Sequence, residues 1–182
     1  MSTASGQDRS NRILGIDPGL NVTGYAVIES ARHKCSIIEA GVLRSSEGTT
    51  KPEMAKRLRV LYDGLVEIIE QLKPSVVVVE QLYSHYAHPR TAILMGHARG
   101  VIYLAGAKND LPVVSYAATR IKKTITGGGR ASKEQMQMAM LREFGLTTLP
   151  EPPDVADALA IALCHYYAVR NAEPEAPARE SA

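Results

Sequence analysis

Four carboxylates in the chain, Asp17, Glu80, Asp154 and Asp157, have the types and spacing to hold a cation together. Asp17 ends the apolar run Ile13-Leu14-Gly15-Ile16, and Glu80 follows four consecutive valines at positions 76–79. A charge in such a place must be paired, hydrogen-bonded or bound to an ion. Taken alone, Asp17 fits either a ligand or an Asp bonded to backbone amides at a strand-to-turn junction. Glu80 alone fits either a ligand or a structural salt bridge. Asp154 and Asp157 stand three positions apart, which places both on one face of a helix, where like charges repel by a few tenths of a kcal/mol. An acid in the first turn favours the helix dipole. That accounts for Asp154 better than for Asp157, which precedes the apolar run 158–164. As a set, four oxygen donors without partnering cysteines or a fixed histidine spacing suit hard cations such as Mg²⁺ or Mn²⁺. Two such ions about 3.5–4 Å apart can activate a water and stabilise the leaving oxygen in phosphodiester hydrolysis.

Cations with access to phosphate would complete that chemistry. Arg120, Lys122, Lys123, Arg130 and Lys133 fall in one stretch that has no acid before Glu134 and contains Gly127, Gly128 and Gly129. Such a stretch can contact phosphates through side chains and approach them through backbone amides. It can equally be a solvated helix face followed by a mobile loop. A second basic group, Lys51, Lys56, Arg57 and Arg59, is diluted by Glu53 and reads as ordinary surface. Tyr83 follows Glu80 by three positions, among His85, Tyr86 and His88. An exposed aromatic there can stack on a base for roughly 1–3 kcal/mol, although a partly buried loop tyrosine has the same sequence signature. His33 and His165 read as structural or exposed.

The elements that position these residues follow from hydrophobic periodicity. Strand-like runs at 13–17, 23–29 and 35–43, joined by short connections, suggest an antiparallel meander. Met54, Leu58, Leu61, Leu65, Ile68 and Leu72 then recur in steps of four and three, which predicts an amphipathic helix stopped by Pro74. The valines at 76–79 predict a strand buried on both faces. A helix over 91–108, a strand over 111–116 and a helical stretch over 117–126 follow. Ser132 with Gln135 matches a capping box opening the next helix, in which Met136 and Met140 face inward. The last helix runs over 153–170 with Pro153 in its first turn. Order βββαβαβ followed by helices implies an α/β fold with a five-stranded mixed sheet and helices on both faces. If the first and fourth strands are parallel neighbours, Asp17 and Glu80 share one crevice at their carboxyl ends, where ligand sites collect.

The chain has 182 residues, 45% of them hydrophobic, and a net charge of +2. That suits one folded domain over 12–170, with a polar leader at 1–11 and an Ala-, Pro- and Glu-rich tail at 171–182 expected to be disordered. Cys35 and Cys164 form no CxxC pair and read as buried and reduced. The leader has no apolar core of a signal peptide, and no run reaches the roughly 18–20 apolar residues of a membrane span. A soluble cytoplasmic protein is the expectation, with no membrane partner.

Five segments together carry a family resemblance. Leu14-Gly15-Ile16-Asp17-Pro18-Gly19 with Thr23-Gly24-Tyr25, Glu80-Gln81-Leu82-Tyr83, Gly96-His97-Ala98-Arg99-Gly100, the Gly127-to-Gln137 stretch and DVADALA at 154–160 resemble, in order, motifs of the RuvC family of Holliday-junction resolvases. The similarity covers about residues 12–168. It implies a ribonuclease-H-like fold and a homodimeric endonuclease that makes paired nicks in strands of like polarity of four-way junction DNA, for recombination and repair. It implies that Asp17, Glu80, Asp154 and Asp157 bind two Mg²⁺ ions, with Mn²⁺ able to substitute. Lys122 and Lys133 match basic residues near the scissile phosphate, and Tyr83 matches an aromatic that stacks on unpaired bases. Branch-migration proteins RuvA and RuvB are the partners it implies. Some members carry histidine where this chain has Asp154, and His97 replaces the usual glutamine.

Two other functions compete. One keeps the fold but processes RNA, as in the YqgF type; the Lys122 to Lys133 stretch and the Glu80 motif favour DNA. The other is a non-catalytic junction-binding scaffold, against which the presence of all four acids counts.

Overall fold

A parallel pair of apolar strands, each ending in a carboxylate, forms the centre of the sheet in the computed structural model, which describes residues 11–31, 34–46, 52–82 and 89–171. The strands are β1 (Arg12–Asp17), β2 (Val22–Ala31), β3 (Lys34–Arg44), β4 (Val76–Glu80) and β5 (Val113–Tyr116), in spatial order β3-β2-β1-β4-β5. The first three form the expected antiparallel meander, while β4 runs parallel to both β1 and β5. The fifth strand begins later than its sequence suggests. The Leu111 N–H donates instead to the Gly106 carbonyl at 3.0 Å, closing the preceding helix, and Pro112 has no N–H to give.

Helices α1 (Met54–Leu72) and α2 (Pro89–Lys108) cover one face of the sheet. They pack on Leu14, Ile16, Val27, Val77 and Val79 through Leu61, Leu65, Ile68, Ala98, Ile102 and Ala105. Helices α3 (Ala118–Thr126), α4 (Lys133–Phe144) and α5 (Pro153–Arg170) cover the other. There Ile13, Ala26, Ile28 and Val78 meet Ile121, Met136, Met140 and the apolar side of α5. Strand side chains alternate faces, so β1 over residues 13–16 and β4 over residues 76–79 are apolar on both sides because each face has its own layer of helices.

Helix α5 lies unusually close to the sheet. A Cβ on Gly15 would collide with the Ala158 carbonyl and stand 2.7 Å from the Ala162 nitrogen, and one on Gly24 would meet the Asp154 backbone. These two glycines let the helix that carries Asp154 and Asp157 press onto β1 and β2. At the start of α4, the Ser132 N–H donates to Gln135 Oε1 at 2.8 Å and the Gln135 N–H to Ser132 Oγ at 3.3 Å, the expected capping box. Met136 and Met140 are buried and Met138 is exposed, as their spacing predicts. Cys35 and Cys164 are free and buried.

Arg57 corrects the sequence reading. Expected on the surface, it is 6% exposed. Its guanidinium donates to Ser45 Oγ at 3.1 Å, the Leu20 carbonyl at 3.2 Å and Asn21 Oδ1 at 2.6 Å. It thereby ties α1 to the turn that follows Asp17. Apart from Asn11 and Asn171, the expected leader and tail lie outside the described residues, as do His33, Lys51, Tyr83, His85, Tyr86 and His88.

Candidate active site

The register of β1 on β4 decides where the acids point. Ile16 pairs with Val79, so Asp17 and Glu80 come next on each strand at the same level. Ile16 and Val79 face α1 and α2. One position further, alternation turns Asp17 and Glu80 toward the opposite face, the one that α5 covers. The structure therefore brings the strand pair and the helix pair together.

Their electrostatics record that proximity. Burial pushes Asp17 from 3.8 up to about 7, reinforced by the charges of Asp157, Glu80 and Asp154 and opposed by Lys133. Burial raises Glu80 above the usual carboxylate range, and Asp157 adds to the effect while Lys122 and Arg99 oppose it. Asp157 is raised by burial and by Asp154, against Lys133 and Lys122. All four acids and both lysines thus share one field.

These residues fit a hard divalent cation. The donors are all oxygen, and three of the acids are disfavoured as bare anions by burial and by one another, which a cation centred among them would relieve. Among the described residues, however, no three His, Cys, Asp or Glu side chains are gathered as a ready-made ion cage. Like carboxylates repel at short range, and a cation placed between them would remove that repulsion.

A helical hairpin delivers the cations. Helix α3 ends at Gly127, whose φ of 78° is left-handed, and whose N–H caps the Lys123 carbonyl. Glycine tolerates that turn at little cost, and the chain doubles back so that α4 opens on Lys133. Among the described residues, neither Lys122 nor Lys133 closes an ion pair within 4.0 Å. Their ammonium groups stay available to an anion. Arg120, Lys123 and Arg130 are exposed and are not among the cations acting on the shifted acids. Arg120 instead lies over the Tyr116 ring at 4.7 Å. With Lys123 it lines a cleft of about 450 Å³ among α3, α4 and α5. Arg130 lines a groove between α3 and α4. None of the four acids lines either cleft.

Two side-chain bonds between neighbouring elements were not specified by the sequence. Tyr116 Oη and His165 Nδ1 are 2.9 Å apart, which fixes the half-buried His165 on α5 against β5. Arg99 on α2 donates to the Glu80 carbonyl and, at 3.2 Å, to Tyr103 Oη. The available signal was an Arg–Tyr pair four apart on a helix with few other polar residues.

A family model described as "Crossover junction endodeoxyribonuclease RuvC" matches residues 13–165. The chain belongs to the RuvC family. Among curated RuvC-family relatives, the protein from Rhodopirellula baltica is 52% identical over 87% of this chain and 88% of its own length. The one from Desulforamulus reducens is 43% identical over 84% and 91%. Among solved structures, Thermus thermophilus RuvC in complex with a Holliday junction substrate aligns with a TM-score of 0.80 and 27% identity, covering 88% of this chain and 96% of that one. The RuvC fold is ribonuclease-H-like, in agreement with the five-stranded mixed sheet and its two helical layers.

Proposed function

We propose that this chain is a crossover junction endodeoxyribonuclease that resolves four-way DNA junctions by divalent-metal-dependent phosphodiester hydrolysis. The observation that carries the reading is the convergence of Asp17, Glu80, Asp154 and Asp157 with Lys122 and Lys133 in one field. Family membership supplies the junction as substrate. The four acids would hold two Mg²⁺ ions, or Mn²⁺ in their place, supplying a polarised phosphodiester and an activated water. Lys122 and Lys133 place positive charge where negative charge grows on the phosphoryl oxygens. Burial of Asp17 and Glu80 keeps bulk water from screening that field. Arg120, Lys123 and Arg130 hold flanking backbone phosphates, and Tyr83 stacks on a base at the branch point.

The active form is a homodimer, so that two sites face two opposed strands of a substrate with approximate two-fold symmetry. A stripe of α2 supports this. Ile93, Tyr103 and Leu104 are 61%, 40% and 52% exposed, and a Cβ on Gly96 or Gly100 would touch nothing within 4 Å. These positions recur at helical spacing, and the glycines would let a second copy of the helix approach closely. No helix among the described residues is long and apolar enough to cross a membrane. A cytoplasmic location beside the branch-migration proteins RuvA and RuvB completes the proposal.

The test is cleavage of a synthetic four-way junction across a Mg²⁺ titration, beside a linear duplex and structured RNA. Asp17→Asn should keep junction binding and lose cleavage by at least about 100-fold, the upper end of what losing a residue behind a metal ligand costs. Normal nicking by that variant, or preferential cleavage of RNA, would overturn the proposal.

A further inference from the structure

The carbonyl of Glu80 lies just past the end of the β1–β4 ladder, whose last pair is Ile16–Val79. A strand end of this kind frays unless its polar groups find partners. Here the partner comes from a different layer. Arg99, on α2, donates Nη1 to the Glu80 carbonyl. Its Nη2 donates to Tyr103 Oη at 3.2 Å and to Ser115 Oγ at 3.4 Å. Tyr103 Oη and Ser115 Oγ are themselves 2.7 Å apart, and the guanidinium carbon lies 5.3 Å from the centre of the Tyr103 ring. One side chain thus joins α2, the end of β4 and β5. On the other side of β4, the Gln81 N–H donates to the Tyr116 carbonyl at 2.8 Å.

From this geometry we infer that Arg99 is a positioning residue: it holds the backbone of Glu80 so that the carboxylate is presented to the divalent cation at a fixed level beside Asp17. The inference rests on the proposed role of Glu80 as a metal ligand. Arg99 makes no contact with the carboxylate itself in the bonds described, so it acts through the main chain. The planar fork is essential, because two different nitrogens serve two different directions at once. Lysine, a single point charge on a flexible stem, cannot reproduce that geometry. The same guanidinium also lends positive charge to the Glu80 side, which lysine would retain. Charge and geometry are therefore separable by substitution.

The experiment compares Arg99→Gln, Arg99→Lys and Glu80→Gln with the parent protein, on junction DNA. For each, junction affinity is measured in Ca²⁺ and the cleavage rate across a Mg²⁺ titration. Circular dichroism and thermal melting establish that each variant is folded. Loss of a residue behind a metal ligand typically costs about 10–100-fold in metal affinity or activity. Arg99→Gln and Arg99→Lys should both raise the Mg²⁺ concentration for half-maximal rate by about that factor, with junction affinity within about twofold of the parent. Partial rescue at high Mg²⁺ should follow, since the ligand remains. Ser115→Ala, which removes one minor anchor of the fork, should shift the Mg²⁺ requirement in the same direction by less. A folded Arg99→Gln protein with an unchanged Mg²⁺ requirement overturns the inference, as does full recovery in Arg99→Lys, which would assign Arg99 to charge alone. If Glu80→Gln itself cleaves normally, the metal-site reading fails instead, and the two failures are distinct.

Discussion

Asp17 and Glu80 end two adjacent parallel strands at one level, each a single residue past the Ile16–Val79 pair. Because both follow residues directed to the α1–α2 face, both turn toward α5. Neither carboxylate has an arginine or lysine in ion-pair contact among the described residues. The nearest relief in charge comes from Lys133 for Asp17, and from Lys122 and Arg99 for Glu80. This arrangement raises the cost of ionising the apo site and concentrates the benefit in a bound cation.

The first consequence is in pH. Asp17 is held at about 7, above its ordinary 3.8. A raised acid favours folding while protonated, and that contribution is lost as pH rises through the folded value. Metal-free protein should therefore melt at progressively lower temperature between about pH 4 and pH 7 from this group, whereas Asp17→Asn should flatten that trend. Mg²⁺ should restore more stability above about pH 7 than near pH 5, because below that value it competes with a proton. Differential scanning calorimetry with and without Mg²⁺ checks both; an apo melting temperature independent of pH in this window counts against the buried, coupled Asp17.

The lysines should separate from the flanking cations. Lys122→Ala and Lys133→Ala should lower the single-turnover cleavage rate by about 10–100-fold, somewhat less than the loss of a buried oxyanion donor. Lys123→Ala and Arg130→Ala should leave that rate near the parent value and weaken junction affinity only modestly, with a smaller salt slope. Equal rate effects at Lys122 and Lys123 would dissolve the distinction drawn from the field of the acids.

Close packing under α5 gives a stability prediction. Gly15→Ala places a methyl group against the Ala158 carbonyl and the Ala162 backbone, and should cost about 1–3 kcal/mol as an overpacked contact. Gly24→Ala pushes on the backbone of Asp154 itself, so it should depress cleavage as well as stability. Urea unfolding paired with a cleavage assay distinguishes the two positions.

The exposed stripe of α2 predicts the oligomeric state. Ile93→Glu and Leu104→Glu should each weaken self-association by at least about tenfold, as buried charge at an apolar contact does, read by sedimentation equilibrium. Junctions should then accumulate single nicks in place of paired ones. A dimer undisturbed by both substitutions would move the interface elsewhere.

Three of the acids stood out in the sequence because each violates a local rule: Asp17 and Glu80 follow an apolar strand, and Asp157 is a second acid at helical spacing before an apolar run; Asp154 stood out only as its partner. The antiparallel meander and the mixed sheet were legible because hairpins and crossover helices leave few arrangements open, whereas the pairing of β1 with β4 was a condition that only the structure met. Arg57 was not. Its burial depends on acceptors at Leu20 and Asn21, 37 and 36 positions away, and its neighbours Lys56 and Arg59 are those of a surface helix. The basic stretch showed charge but could not rank its members. Lys122 and Lys123 are adjacent in sequence, yet on a helix they diverge by about 100°, so one meets the acids and the other meets solvent. Only α3 docked on α5 decides which. Arg99 was hidden likewise, since its acceptor is a main-chain carbonyl, which no residue type announces.

The four valines of β4 hold a last implication, for how the chain avoids misfolding. A run of identical side chains packs almost equally well if it slides by one position along β1, since valine would replace valine on both faces. Hydrophobicity alone cannot police that error. Glu80 can, because a one-residue slip would turn its carboxylate into the layer formed by Ile16, Ile102 and Ala105, where an unpaired charge is prohibitive. The residue proposed as a metal ligand therefore doubles as a proofreading mark for sheet alignment, and Glu80→Val should yield a protein with less certainty of register than the parent.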